Sequence, residues 1–206
     1  MILSFLVFLL ATCATPGKKT GYGAGIGGAV GAGLGAIIGN QSGDAGKGAL
    51  IGGALGGLLG GAVGNRLDKQ AQELAQIAET QRTENGILTK LKGDILFTSA
   101  SSSLAPAAGS NIDQIASIIK KYPEDIVTIV GHTDADGSEK FNQSLSEKRA
   151  RSVYNRMIAS GISPASLHVV GAGEAQPVAS NADASGKALN RRVELQITVD
   201  PSKVPH

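Results

Sequence analysis

The chain has 206 residues, a formal net charge of +2 and only 3% aromatic residues. A small net charge and few aromatic side chains provide neither the basic surface nor the stacking platform that nucleic-acid binding needs, so we expect no nucleic-acid partner. One cysteine excludes an internal disulfide, and the length allows one ordinary domain with appendages.

The first ten residues form an apolar run that matches the core of a secretory signal and is too short to span a membrane alone. The run ends in Leu10-Ala11-Thr12-Cys13, which resembles the lipobox of bacterial lipoproteins, although threonine stands where a smaller residue is usual. We therefore expect residues 1–12 to be a lipoprotein signal peptide, Cys13 to be lipidated, and residues 13–20 to form a tether. An ordinary signal peptide with an incidental cysteine is the alternative.

Residues 21–64 contain two runs of glycine at every fourth position. The glycines are Gly23, Gly27, Gly31, Gly35 and Gly39, then Gly48, Gly52, Gly56, Gly60 and Gly64. On a helix this spacing forms one row along which another helix backbone can approach closely, and each uncharged run would be about 25 Å long. The pattern predicts a glycine-zipper helical hairpin that turns at residues 40–47, either inserted in a membrane or packed against a partner. A flexible glycine-rich linker is the alternative.

The remaining chain holds most of the charge and predicts a globular unit. Within residues 65–85, apolar residues at helical spacing predict an amphipathic helical connector. The pattern of apolar residues over 86–199 predicts a domain of alternating strands and helices. Residues 87–91 and 95–97 predict one kinked strand or two short strands around Gly93, and further strands are predicted at 126–130, 167–170 and 192–199. Helices are predicted over about 15 residues from Pro106 and over 141–160. Residues 200–206 are a tail.

This order predicts an α/β fold, a β-α-β-α-β-β sandwich with a mixed sheet and helices packed on it. The long helix connects two strands that we expect to be parallel neighbours. The last strand alternates apolar and polar residues, which is typical of a sheet with one solvent-exposed face.

Several separated sequence blocks resemble the C-terminal domain of outer membrane protein A. The blocks are Gly131-His132-Thr133-Asp134, Asn142, Leu145-Ser146 with Arg149-Ala150 and Ser152-Val153, and Asn190-Arg191-Arg192-Val193-Glu194. The resemblance covers about residues 86–199, and its family includes peptidoglycan-associated lipoprotein and the periplasmic part of flagellar stators. With the lipobox and the zipper, the whole chain resembles YiaD-type lipoproteins.

The resemblance implies a non-covalent peptidoglycan site for the free amino acid end of diaminopimelate in the stem peptide. It places Asp134 against the ammonium and Arg149 against the carboxylate of that zwitterion. These residue types suit the task, because an aspartate after a strand lies where α/β sheets place ligands and an arginine fork binds carboxylates bidentately. Leu145, one helical turn before Arg149, provides an apolar wall.

The resemblance also implies supporting roles for Thr133 and Asn142 and a place in the site for Asn190 and Arg191. Plain structural roles are the alternative for each of these residues, and a solvated arginine or a turn aspartate is the alternative for the central pair. The family commonly has an aspartate where this chain has Thr98 after Phe97, a change that we expect to weaken binding or alter its selectivity.

No catalytic, metal or cofactor motif is apparent, so we expect a non-enzymatic protein without a cofactor. The leading interpretation is a lipid-anchored tether between membrane and peptidoglycan in the envelope of a Gram-negative bacterium. Ala14 after Cys13 resembles the pattern sorted to the outer membrane, with the protein facing the periplasm. The alternative is a zipper-driven membrane homo-oligomer or pore that uses wall binding only as an anchor.

Overall fold

The computed structural model describes residues 61–84, 86–98 and 101–204. Five helices in this part of the chain are α1 Gly61–Ala75, α2 Gly93–Leu96, α3 Pro106–Ile119, α4 Glu139–Ala159 and α5 Ala184–Asn190. The five strands are β1 Glu79–Thr83, β2 Gly86–Lys92, β3 Asp125–Gly131, β4 Leu167–Gly171 and β5 Arg192–Val199. The signal peptide, the Cys13 lipidation, the tether and the zipper hairpin are predictions that lie outside the described residues.

The strands form one mixed sheet in the order β1-β2-β5-β3-β4. Only β3 and β4 are parallel, with Ile129 opposite Val169, and the long helix α4 connects them as predicted. The other neighbours are antiparallel. The α/β fold class is therefore confirmed.

One hydrophobic core joins the sheet to the helices. In β5, Val193, Leu195 and Ile197 are fully buried, as the alternating pattern requires, together with Val153 and Met157 of α4. The opposite face of β5 differs from the prediction at its start. Arg192 and Glu194 are also buried there and form an ion pair with each other. Arg192 additionally donates to the backbone carbonyls of Gln176 and Asn190, in the segment that precedes β5.

The prediction of a helical connector over residues 65–85 is wrong in two respects. The helix ends at Ala75, and Glu79–Thr83 forms an edge strand, β1, paired with β2. Helix α1 also belongs to the domain, because Leu67 and Leu74 are buried in the common core. Strand β1 has the sequence ETQRT, without an apolar residue, so it shows no alternation of apolar and polar residues from which a strand could be predicted.

Two further elements differ from the sequence prediction. The predicted strand at 95–97 is the short helix α2, followed by a single bridge between Phe97 and Leu104. The segment between β4 and β5, for which no helix is predicted, contains α5, and the Asp183 side chain caps its N-terminus by accepting from the backbone N–H of Gly186 at 2.8 Å. Within the described residues, no helix combines the length and apolar character needed to cross a membrane.

Close approach of α4 to the sheet positions the candidate site. Gly131 and Gly171 end the parallel strands β3 and β4, and a Cβ atom at Gly131 would lie 2.1 Å from the carbonyl oxygen of Ser146. At Gly171 a Cβ would lie 2.8 Å from the Ser146 hydroxyl. Glycine is therefore required at both ends, and the first half of α4 lies directly beside the segment that follows β3.

Candidate functional site

An open pocket of about 610 Å³ lies between the end of β3, the start of α4 and α2. Six of the seven predicted binding residues line it: Thr133, Asp134, Asn142, Leu145, Arg149 and Arg191. They come from three separate sequence blocks, because β5 lies beside β3 in the sheet and brings the end of α5 to the same edge. The pocket lies just beyond the carboxyl end of β3, as expected for an α/β sheet.

Arg149 is buried at the inner side of the pocket, where only 5% of the residue is exposed. Its Nε donates to the Ser101 carbonyl at 3.0 Å, and its guanidinium lies 5.2 Å from the centre of the Phe97 ring. Burial lowers the pKa of Arg149, while the negative charge of Asp134 opposes that shift. Arg149 lines the pocket, and among the described residues no hydrogen bond or ion pair is made by its two terminal nitrogens.

Asp134 is paired with Arg191. Arg191 Nη1 donates to Asp134 Oδ2 at 2.8 Å, and the backbone N–H of Asp136 donates to Asp134 Oδ1 at 3.2 Å. The other side of the same guanidinium forms a two-bond fork on Asp94, with Nε–Oδ1 and Nη2–Oδ2 distances of 2.8 and 2.7 Å. These carboxylates raise the pKa of Arg191, and hydrogen bonding to Arg191 lowers the pKa of Asp94.

The remaining lining residues divide into apolar and polar groups. Leu145 lies one turn before Arg149 on α4, and Phe141 lies one turn earlier at the rim, 53% exposed. Asn142 is buried and donates from Nδ2 to the Asp134 carbonyl at 3.3 Å and to the Glu174 carboxylate. Thr133 carries a buried hydroxyl without a hydrogen-bond partner within the described part of the chain.

Asn190 is the predicted site residue that the structure places elsewhere. It does not line the pocket and is fully buried. Its Oδ1 accepts from the backbone N–H groups of Val178 and Ala179 at 2.8 and 3.0 Å, and its Nδ2 donates to the Ala179 carbonyl and the Asn181 side chain. All these partners are internal, so Asn190 stabilises the loop before α5.

Sequence reasoning missed Asp94 and Phe141 as pocket residues. Phe141 could have been found, because it precedes Leu145 and Arg149 at helical spacing of four. Asp94 carried no such signal, since its partner Arg191 is 97 positions away in the sequence. Thr98, the position without the expected aspartate, does line the pocket.

The charges make the pocket dipolar. Arg149 provides an unpaired positive fork, while the Asp94–Arg191–Asp134 group has two carboxylates around one guanidinium and a formal charge of −1. Such a site offers one cationic group to an anion and one anionic group to a cation. Across residues 61–84, 86–98 and 101–204, no group of three or more His, Cys, Asp or Glu side chains is arranged to hold a metal ion.

Comparison with known proteins identifies both parts of the chain. Residues 96–191 match the model of the OmpA family, and residues 1–68 match that of the YMGG-like Gly-zipper. Both resemblances found in the sequence are thus confirmed. The zipper match extends into α1, which the structure places in the core of the domain.

Individual relatives agree with this assignment. The probable lipoprotein YiaD of Escherichia coli is 38% identical over 117 residues, covering 57% of this chain and 53% of that protein. The peptidoglycan-binding protein ArfA of Mycobacterium bovis is 40% identical, covering 51% of this chain and 32% of that protein. The matched part of this chain thus spans about half or less of these two relatives.

Among solved structures, the cell wall anchor of the T6SS from Pseudomonas aeruginosa superimposes with a TM-score of 0.56 at 28% identity. The alignment covers 65% of this chain and 95% of that structure. The part of the chain that holds the dipolar pocket thus matches the OmpA family, and the N-terminal part matches the YMGG-like Gly-zipper.

Proposed function

We propose that the domain binds peptidoglycan non-covalently through the zwitterionic end of diaminopimelate in the stem peptide. Arg149 binds the carboxylate, Asp134 binds the ammonium, and Leu145 contacts the methylene chain. The observation that carries the proposal is the buried Arg149 fork, whose terminal nitrogens lack partners among the described residues. A buried cation is costly to leave unpaired, and a ligand carboxylate would provide two charge-assisted hydrogen bonds.

The charge balance of the pocket supports a zwitterion over a simple anion or cation. A lone carboxylate would pair with Arg149 and leave the net charge of −1 at Asp134 and Asp94 without a partner. A lone ammonium would leave Arg149 unpaired. A carboxylate and an ammonium on one carbon complement both groups at once, and the unpaired Thr133 hydroxyl provides one more hydrogen-bonding group.

The position of the pocket suits a tether. Helix α1 continues the N-terminal region and contacts Asp125 at the first residue of β3, through Arg66 and Gln70. The pocket lies beyond the other end of this seven-residue strand, about 20 Å away. These contacts of α1 and the pocket therefore lie at opposite ends of β3, an arrangement in which one end can lead to a membrane while the other faces the wall.

The anchor belongs to the same proposal. We propose that Cys13 is lipidated and that the protein is a non-catalytic outer-membrane lipoprotein facing the periplasm, and the similarity to the probable lipoprotein YiaD supports the lipid anchor. Labelled palmitate should be incorporated into the wild type and not into Cys13→Ser. Absence of label from the wild type would refute the lipid anchor and leave the pocket proposal standing.

Co-sedimentation of the full-length protein with purified peptidoglycan tests the wall contact. Arg149→Ala should weaken binding roughly ten- to a hundredfold, because hydrogen bonds to charged groups contribute about 1.5–3 kcal/mol. Asp134→Ala should have a similar effect. Arg151→Ala is the matched control, since Arg151 is an exposed arginine on the same helix and its guanidinium lies over Tyr154. Folded Arg149→Ala protein that sediments like Arg151→Ala would refute the site.

A further inference from the structure

Arg191 occupies the side of Asp134 that the proposed ligand needs. Its Nη1 is 2.8 Å from Asp134 Oδ2, and Asp134 Oδ1 accepts from the backbone of Asp136. An ammonium that reaches Asp134 must therefore share the carboxylate with a guanidinium. Two cations on one carboxylate repel each other, and this repulsion is large where water is partly excluded. The Asp134 side chain is only 13% exposed.

The second carboxylate on Arg191 resolves this competition. Asp94 holds Nε and Nη2 of Arg191 in a fork, whereas Asp134 holds only Nη1. Arg191 can give up its single bond to Asp134 and still keep both bonds to Asp94. Without Asp94, the guanidinium would have Asp134 as its remaining carboxylate partner among these contacts and would compete with the ligand for it.

We propose that Asp94 is a positioning residue that holds Arg191 back from Asp134 and so makes Asp134 available to the ammonium of the ligand. The inference rests on the proposed function and deepens it, because it assigns the selectivity for an amino group to a carboxylate that does not itself contact the ligand. Asp94 is suited to this role because its side chain is 55% exposed and both of its carboxylate oxygens accept from Arg191.

Two other roles for Asp94 predict different outcomes. If Asp94 contacted the ammonium directly, no substitution at Arg191 would restore the diaminopimelate affinity that is lost when Asp94 is replaced. A purely structural role would weaken every ligand equally, including ligands without an amine. A double variant and an amine-free ligand distinguish the three.

Isothermal titration of the full-length protein in detergent with diaminopimelate and with pimelate, which lacks the amines, provides the test. Asp94→Asn should weaken diaminopimelate binding roughly tenfold, the size of one charge-assisted hydrogen bond, and should not weaken binding of the anionic pimelate, because a negative charge is removed from the pocket. Adding Arg191→Gln to Asp94→Asn should restore diaminopimelate affinity to within about threefold of the wild type, because the competing cation is gone. Asp94→Glu, which keeps the charge, should bind like the wild type.

Asp113→Asn is the matched control. Asp113 forms the same fork with Nε and Nη2 of Arg156 on the helical surface, outside the binding pocket, and its loss should leave both affinities unchanged. A double variant as weak as Asp94→Asn, or equal losses for diaminopimelate and pimelate, would overturn the inference. Unchanged diaminopimelate binding by Asp94→Asn would overturn it too while the proposed function stands. Failure of the wild type to bind diaminopimelate would overturn both.

Discussion

Replacing Leu74 tests whether α1 is part of the domain rather than a connector. Leu74 is fully buried in the common core, and removing a buried leucine side chain costs about 2–5 kcal/mol through lost burial and the cavity that remains. We expect Leu74→Ala to lower the free energy of unfolding by about 3 kcal/mol, a large fraction of the roughly 5–15 kcal/mol of a typical domain. For a domain of this size, the melting temperature should fall by about 6–12 °C.

Leu189→Ala is the matched control, because Leu189 is 53% exposed and the same atoms are removed. Its effect should stay within about 0.5 kcal/mol, as for most surface substitutions. Urea and thermal denaturation followed by far-UV circular dichroism measure both variants against the wild type. Equal stabilities of Leu74→Ala and Leu189→Ala would show that α1 is not packed as described and would return it to the role of a connector.

Three further substitutions test other parts of the structure. Burial raises the pKa of Asp125 to about 6, against about 3.9 in an unfolded chain. The protonated group therefore contributes to the free energy of unfolding below about pH 4, and this contribution is lost as the pH rises through 6. The free energy of unfolding of Asp125→Asn relative to wild type should therefore increase between pH 4 and 7, by at most about 3 kcal/mol, and a constant difference would contradict the shift. Asn190→Ala should lower thermal stability without changing the diaminopimelate affinity of the protein that remains folded, and selective loss of affinity would return Asn190 to the binding site. Phe141→Ala should weaken binding of a stem tripeptide ending in diaminopimelate more than binding of the free amino acid, because Phe141 lies at the rim; equal effects would place it beside the amino acid itself.

The central part of the site was predicted from the resemblance of its sequence blocks to the C-terminal domain of outer membrane protein A. Local spacing agrees with that prediction, because Leu145 and Arg149 are four residues apart on one helix and Asp134 follows an apolar strand, and all three residues line the same pocket. Asp94 was not predictable in this way. Its role depends on Arg191, which is adjacent only because β2 and β5 pair in the folded sheet.

The fold shows the same division. Elements with a clear apolar pattern, such as α3 and β5, agree with the prediction to within about two residues, and so does the mostly polar helix α4. Strand β1 is polar and forms by pairing with β2, and α5 is a short helix of small residues stabilised by its Asp183 cap. The periodicity of α1 predicts an amphipathic helix, but amphipathicity does not reveal which surface covers the apolar face.

A crystal structure of the protein with diaminopimelate is the decisive test of the proposed binding mode. One carboxylate of the ligand should lie within about 2.7–3.2 Å of the terminal nitrogens of Arg149, with the ammonium on the same carbon at Asp134. Diaminopimelate bound elsewhere on the domain, or bound in the pocket with its ammonium away from Asp134, would contradict it.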